Sequence, residues 1–464
     1  MSRVLVIGAG SAGTTAAWLM AERGLHVTLV DRRPAHRAGA LWINGVDLNL
    51  LERLDLGPFP DELVFHRGGR FVMHAGSCDP ADPARNTHTI RQVVDPAPLT
   101  ETRMDALQKL LQQRALDAGV DFRPESTAAV GDWNGRQRVV SMDGHTSTWD
   151  CVVDASGFGG IKSALHEGPH SCAAFQAVYP IVDRDAALRF LADCKVQPGD
   201  ILSMSGVEGG WSVLNVHVPA ELSHVAILAG AIHANHFRSG ARMAHDFVAR
   251  HPWIGPAQTQ GAGLIPLLPL RPVDLVERGL VRIGDAAGQV FPLHGSGVAQ
   301  GMQAASFAAN SIAAAIQVGD VTEAGLWSYV VAMQRGPARI ADSYQPLRCF
   351  SQRVHAHELE LLMTAGIMNP AAVRAGLLQN PMPLDPVVAL RALRHARDLV
   401  PIAIPVARML SLTAALLVHG LRIPERWDTV RIHAWQKKWD QLMLGARRLA
   451  APEAPDQGGG TPGR

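Results

Sequence analysis

Cysteine is scarce in this 464-residue chain and carries no pattern. The five, Cys78, Cys151, Cys172, Cys194 and Cys349, are odd in number and form no CxxC pair, so neither a disulfide framework nor a cysteine zinc site is indicated. An excess of one charge is also missing. Lys and Arg number 43 against 42 Asp and Glu, a formal net charge of +1, which implies no polyelectrolyte partner and argues against nucleic acid. None of the 20 histidines sits in metal-ligand spacing, so no metal is expected. No internal repeat is visible. The longest apolar stretch, Leu399 to Val418, is interrupted by Pro401, Pro405 and Arg408. A spanning helix needs about 20 clean residues, so a buried or interfacial helix is expected instead. No signal peptide precedes the first strand, which begins at residue 3, and a cytoplasmic location is expected.

An apolar fraction of 47% supplies large cores, and the length calls for two or more domains. The first 31 residues form one mechanical unit. Arg3 to Ile7 reads as a short apolar strand, followed at once by Gly8-Ala9-Gly10-Ser11-Ala12-Gly13. Thr14 to Arg23 reads as a helix stopped by Gly24, and His26 to Val30 as a second strand ending in Asp31. A lone GxGxxG means little, but between a strand and a helix, with an acid one strand further on, it is a dinucleotide-binding fingerprint. Gly8 permits the tight turn, Gly10 lets backbone approach a pyrophosphate, and Gly13 lets helix and strand pack closely. The free amides at the helix start, Ser11 and Ala12 among them, hold phosphate. Asp31 accepts from ribose hydroxyls.

A second stretch selects the cofactor. Leu280-Val281-Arg282-Ile283-Gly284-Asp285 is a strand ending in an acid, and Ala286 to Gly297 is a loop containing Pro292 and Gly295-Ser296-Gly297. The loop opens a helix over Val298–Val318 that carries no charge and must be buried, with Gly319 as its stop. This resembles the second flavin motif of the FAD-dependent hydroxylase and geranylgeranyl reductase superfamily, which also holds para-hydroxybenzoate hydroxylase. The resemblance implies FAD, with Asp285 on the ribityl chain and the Pro292–Gly297 loop beside the isoalloxazine ring. Cys151-Val152-Val153-Asp154-Ala155-Ser156-Gly157 is similar to the family's middle strand motif, although the commoner pattern has Asp-Gly where this chain has Ser156-Gly157.

The implied fold class is α/β. A Rossmann-like, three-layer FAD-binding domain (1–60, 95–165, 275–335) is interleaved with a β-rich substrate domain (61–94, 166–274). A C-terminal helical region (336–450) and a disordered tail (451–464) follow. Within this scheme Thr102 to Ala118 reads as a helix closed by Gly119, and Leu63–Arg67 with Arg70–His74 read as a hairpin. Ala173–Ile181, Trp211–Val218 and Val225–Ala231 read as strands.

The resemblance also assigns single residues. Arg37, in Asp31-Arg32-Arg33-Pro34-Ala35-His36-Arg37, meets the adenine or pyrophosphate end of FAD in the family, with Arg32 beside it; the alternative is a solvated basic loop. Arg103 is a flavin-contacting arginine or an exposed helix-start residue. His294 stands where many relatives have a small residue and is a candidate proton donor near neutral pH, or a hydrogen-bonded spacer. Trp211 is what remains of the Tyr-x-Trp-x-Phe-Pro strand motif of geranylgeranyl reductases. It is either a catalytic-site aromatic or a filler of the sheet face. The halogenase motif Trp-x-Trp-x-Ile-Pro is absent, and the Cys-Gly-Asp segment of archaeal lipid reductases is replaced by Ala38-Gly39-Ala40-Leu41-Trp42-Ile43-Asn44-Gly45.

The expected function is an FAD-dependent oxidoreductase reducing carbon–carbon double bonds of a hydrophobic, isoprenoid-like small-molecule substrate by hydride transfer from flavin N5. The alternatives are a monooxygenase working through C4a-hydroperoxyflavin and a non-catalytic prenyl-binding escort protein. The second is disfavoured because the flavin motifs are intact. No second GxGxxG is present, so the electron donor, NAD(P)H or a redox protein, binds transiently. Residues 390–448 hold eleven Arg or Lys against four acids, with Trp427, Trp435 and Trp439. That pattern suits either peripheral contact with an anionic membrane surface or a helical cap over the substrate pocket.

Overall fold

The computed structural model describes residues 2–40, 42–85, 90–158, 170–233, 237–383 and 395–450; the tail expected to be disordered, 451–464, lies outside them. Twelve helices are described. They are α1 (Ser11–Glu22), α2 (Leu48–Arg53), α3 (Met104–Asp117), α4 (Arg184–Asp193), α5 (Gly240–Arg250), α6 (Val298–Val318), α7 (Glu323–Arg335), α8 (Pro337–Ser351), α9 (Ala356–Thr364), α10 (Pro370–Leu377), α11 (Ala396–Leu421) and α12 (Thr429–Arg447).

The near-continuous apolar runs at Arg3–Ile7, His26–Asp31 and Cys151–Asp154 are what strands buried on both faces require. They pair in parallel at the centre of a six-stranded sheet ordered Val276–Glu277, Leu280–Arg282, Cys151–Asp154, Arg3–Ile7, His26–Asp31, Asp121–Pro124. One face packs on α1, α3 and α6 through Ala16, Met20, Leu107, Leu111, Ala305 and Ala308. The other face is covered by a three-stranded antiparallel sheet, Ala128–Trp133, Arg138–Met142 and His145–Trp149, through Val140 and Trp149. Helix α6 buries along most of its length, as its lack of charge requires, and ends at Gly319 in the left-handed region.

A seven-stranded sheet stands beside this unit, ordered Thr259–Pro266, Ser171–Pro180, His224–Ile232, Ser212–His217, Ile201–Ser205, Phe71–Ala75, Arg91–Val94. Period-two alternation gives it two unlike faces. Phe175, Ala177, Tyr179, Leu214, Val216, Ile227 and Ala229 bury against α4 and α5. The other face carries Gln176, Asn215, His217 and Leu228 and looks into cavities. We propose the partition anticipated from the sequence, 1–60, 95–165 and 275–335 against 61–94 and 166–274, as the two domains.

Two local expectations are corrected. Leu63–Arg67 and Arg70–His74 do not form a hairpin. Val64–His66 pairs with Thr100–Arg103, while Phe71–Ala75 runs parallel to Ile201–Ser205, because Gly68 and Gly69, both at positive φ, turn the second segment into the larger sheet. Helix α3 starts at Met104 rather than Thr102, since Thr100–Arg103 is held as a strand against Ile43–Val46.

The C-terminal helices pack on one another and on the second sheet. Asp342 on α8, 2% exposed, accepts from Trp439 Nε1 of α12 at 2.8 Å and from Gln334 Nε2 of α7 at 3.4 Å. Burial outweighs these donors and pushes its carboxyl up to about 6. The folded state therefore holds the proton more tightly than the unfolded chain. The resulting stability is complete below the unfolded value near 4 and is lost as pH rises through about 6, by about 2–3 kcal/mol. Asp342→Asn keeps an acceptor for Trp439 and removes the titration. The variant should match the wild type at pH 4.5 and exceed its thermal midpoint at pH 8; equal midpoints at both pH values would refute the assignment.

Candidate functional site

At the carboxyl end of the parallel sheet the backbones approach too closely for side chains. Gly8 sits at φ +102°, and a Cβ there would lie 2.2 Å from the carbonyl oxygen of Ala155; a Cβ on Gly13 would lie 1.9 Å from the carbonyl oxygen of Gly8. Gly10 differs, with its nearest neighbour the Cα of Gly39 at 3.8 Å, so the space over the loop stays open. Helix α1 begins at Ser11 with no side-chain cap and no acid in its first turn, which leaves its leading amides and dipole for an anion. Ala12 packs between motifs: a Cβ on either Gly284 or Gly301 would lie 3.1 Å from its methyl carbon.

Asp31 is buried and does two things. Its Oδ2 accepts from Ala9 N–H and its Oδ1 from Arg33 N–H, both at 2.8 Å, tying the glycine loop to the end of the second strand. Each oxygen keeps a lone pair for a ribose hydroxyl. Arg32, Arg37 and Arg103 are exposed. Gln108 of α3 was not singled out from sequence. Its Nε2 donates to Ala9 O at 2.7 Å and to Thr14 Oγ at 3.0 Å, clamping the loop from behind. It is 4% exposed; the sequence signal was a polar residue beside Leu107 and Leu111 on an otherwise apolar helix face. Ser156, the departure from the family pattern, donates to Asp154 Oδ1 at 2.5 Å.

The second motif converges on the same place. Gly284–Ala287 makes one tight turn, and Gly288 reverses the chain at φ +63°. Gln289 braces it: Gly284 N–H donates to Gln289 Oε1 at 2.7 Å, Gln289 Nε2 to Tyr329 at 2.6 Å, and Tyr329 to Arg282 O at 2.9 Å. The Asp285 carboxylate receives no donor among the described residues, and burial pushes it up to about 6. A Cβ on Gly297, at the start of α6, would lie 2.9 Å from Asp285 Oδ1. An unpaired carboxylate beside a glycine-lined recess fits the ribityl hydroxyls of FAD, and the open loop at Gly10 fits its pyrophosphate. Pro292 and Gly295 are buried, and Ser296 N–H donates to His294 Nδ1 at 3.2 Å.

That bond fixes the form of His294. Its Nδ1 accepts, the ring stacks on Phe291 at 4.9 Å, and burial pulls its pKa down to about 4. Of the two readings of His294, proton donor or hydrogen-bonded spacer, we propose the spacer: near pH 7 a neutral imidazole with its proton on Nε2. His294 stands where two cavities meet. One, about 220 Å³, runs between the seven-stranded sheet and helices α8 to α11 and is lined by apolar side chains, among them Met73, Trp211, Leu293, Leu359, Val373 and Met409. Trp211, 7% exposed, both lines this cavity and packs on Cys172, Ile232 and Leu267. The other, about 120 Å³, carries Glu101, Gln176, Asn215 and His217. Asn215 and His217 were also missed. Their signal was the strand alternation, which puts them opposite Leu214 and Val216.

Replacing Asp285 by Ala should weaken flavin binding by about tenfold or more, the scale of a lost charged hydrogen bond, measured as flavin released per chain and its dissociation constant. Gly13→Ala should lose the flavin and lower the thermal midpoint, because the clash is with backbone. Full flavin retention in Asp285→Ala would remove the ribityl assignment.

Residues 3–81 match the family model described as FAD dependent oxidoreductase. Digeranylgeranylglycerophospholipid reductase 1 of Methanothermobacter thermautotrophicus is 26% identical over 335 residues, 70% of this chain and 80% of that one. The crystal structure of a geranylgeranyl bacteriochlorophyll reductase-like protein from Thermoplasma acidophilum shares the fold, with a TM-score of 0.65 at 18% identity over 90% of this chain and 100% of that one. The halogenase PltM, solved with phloroglucinol and FAD, does so with a TM-score of 0.60 at 14% identity over 97% of each chain. With the glycine junction, the open helix start and the unpaired Asp285 in one place, the chain is an FAD-dependent oxidoreductase with the fold of the geranylgeranyl reductase-like flavoproteins.

Proposed function

We propose that this enzyme reduces carbon–carbon double bonds of a hydrophobic, isoprenoid-like substrate. The observation that carries the reading is the 220 Å³ apolar cavity, which meets the flavin loop at His294. Its lining of Leu, Met, Val and Ile side chains gives a flexible hydrocarbon a dispersion surface without specific polar demands. The lipid reductase relatives support the same substrate class. When bound, reduced FAD supplies hydride to one alkene carbon. The chain's own residues hold the hydrocarbon and orient its second carbon toward the polar side of the site, from which solvent supplies the proton. His294 contributes a fixed neutral Nε2–H at the junction and carries no charge to donate; it is a positioning residue. Trp211 is a wall of the same cavity.

Anaerobic addition of a polyprenyl substrate should reoxidise the reduced flavin and yield a product with saturated double bonds. Reoxidation only by oxygen, with a hydroxylated or epoxidised product, would replace this reading with the monooxygenase. His294→Ala should slow the anaerobic step about tenfold, the scale of one positioned neutral hydrogen bond, and His294→Gln should recover part of it. The wild-type rate should show no break between pH 6 and 7.5. A break there that His294→Ala abolishes would restore the charged proton donor.

We also infer peripheral membrane contact through 390–448; Arg391 and Arg394 lie outside the described residues. Among the described residues, one helix stretch, Arg397–Leu421, is long and apolar enough to span a bilayer, with 28% of its apolar window buried. Its two faces favour lying flat instead. Val406, Met409, Thr413 and Leu416 are buried, while Val400 (69%), Ile404 (82%) and Val418 (46%) are exposed with Arg397 and Arg408 at their edge. An apolar stripe edged by arginine is the pattern of an in-plane helix on anionic lipid. Flotation with phosphatidylglycerol vesicles should show binding that weakens with salt and is abolished in a Val400→Glu/Ile404→Glu double variant. Absence of wild-type binding at low salt would leave the helices as a plain cap.

A further inference from the structure

The polar chamber beside His294 concentrates buried polar side chains on one wall. Three side chains from two strands face it. Glu101 comes from Thr100–Arg103, and Asn215 and His217 come from one face of Ser212–His217. The Glu101 carboxylate lies 3.0 Å from His217 Nδ1, an ion-pair contact that engages those two atoms with each other. His217 Nε2 and Asn215 Oδ1 are buried without a hydrogen-bond partner among the described residues. His217 is 2% exposed and its ring is held by His66, with centroids 4.0 Å apart, so it cannot swing to water. Buried polar atoms are nearly always satisfied, and two orphans beside a buried carboxylate facing one space mark a polar occupant. Gln176 on the same wall is already engaged, accepting from Ile43 N–H at 2.6 Å.

The chemistry of the orphans selects that occupant. A carboxylate and an amide oxygen accept only, and the imidazole offers either role. No Lys or Arg lines the chamber among the described residues. A phosphate placed there would meet the Glu101 carboxylate with no Lys or Arg to offset it, whereas a hydroxyl supplies the missing donors. The two cavities share Phe71, Asn215, Leu228, His294 and Leu377, so one molecule reaches both. We infer that this chamber binds the hydroxylated, uncharged head of an amphiphilic substrate whose hydrocarbon lies in the apolar cavity. The inference rests on the hydrophobic-substrate reading above and adds a head-group preference opposite to that of a phospholipid.

The test uses FAD-loaded full-length protein and calorimetric titration with two pairs of probes: a C20 isoprenoid alcohol and its monophosphate, and dodecanol and dodecyl phosphate. In both pairs the alcohol should bind about tenfold more tightly than the phosphate. Glu101→Gln and Asn215→Leu should each weaken alcohol binding about tenfold while FAD content stays unchanged, and Glu101→Gln should narrow the gap to the phosphate. Preference for the phosphate by the wild type would overturn the inference. So would unchanged alcohol affinity in both variants, which would mean the chamber holds only water. Loss of FAD in either variant would assign the chamber to the flavin instead. If the dodecyl pair discriminates while neither C20 ligand binds, the isoprenoid reading fails and the head-group site stands.

Discussion

Close backbone approach at the end of the parallel sheet is the constraint on which the rest depends. Gly8 lies against Ala155 and Gly13 against Gly8, so no side chain fits at either position. Ala12 wedges its methyl between Gly284 and Gly301, and this contact brings the first and second flavin motifs, far apart in sequence, to one junction. Asp31 and Gln108 then fix the loop from two sides, each through buried hydrogen bonds to backbone. Larger residues at these points would separate α1 from α6 and pull Asp285 away from the loop at Gly10.

The seven-stranded sheet divides labour between its faces. One buries a conventional core against α4 and α5. The other replaces some apolar positions by Gln176, Asn215 and His217 and closes over the flavin loop. The C-terminal helices complete the enclosure, with α8, α9 and α10 supplying Leu347, Leu359 and Val373 to the cavity wall. Helix α11 does this with one side only, through Met409, and leaves Val400 and Ile404 outside. A single helix is thereby both a wall of the substrate space and an apolar outer surface.

Several elements were legible because their signals are local. The strand–glycine–helix start, the uncharged α6 with its Gly319 stop, and Asp285 at a strand end each follow from short-range pattern. The supposed hairpin at 63–74 failed because period-two alternation identifies strands without naming their partners. Val64–His66 and Phe71–Ala75 went to different sheets. His294 was singled out by its loop, whereas its charge state could not be read, since that depends on burial and on the Ser296 N–H.

The sequence by itself determined the cofactor class and the architecture of its cradle, because turn, helix start and close packing are set by residue type at fixed spacing. Only the tertiary structure decided which polar residues are functional. Gln108, Asn215 and His217 look like ordinary helix and strand positions. Gln108 gains its meaning from the loop it clamps, and the other two from facing a chamber in which their hydrogen bonds go unmet. Both are properties of what lies opposite a side chain; the local pattern marks a polar residue on an apolar face or one side of a strand, and not what that residue meets.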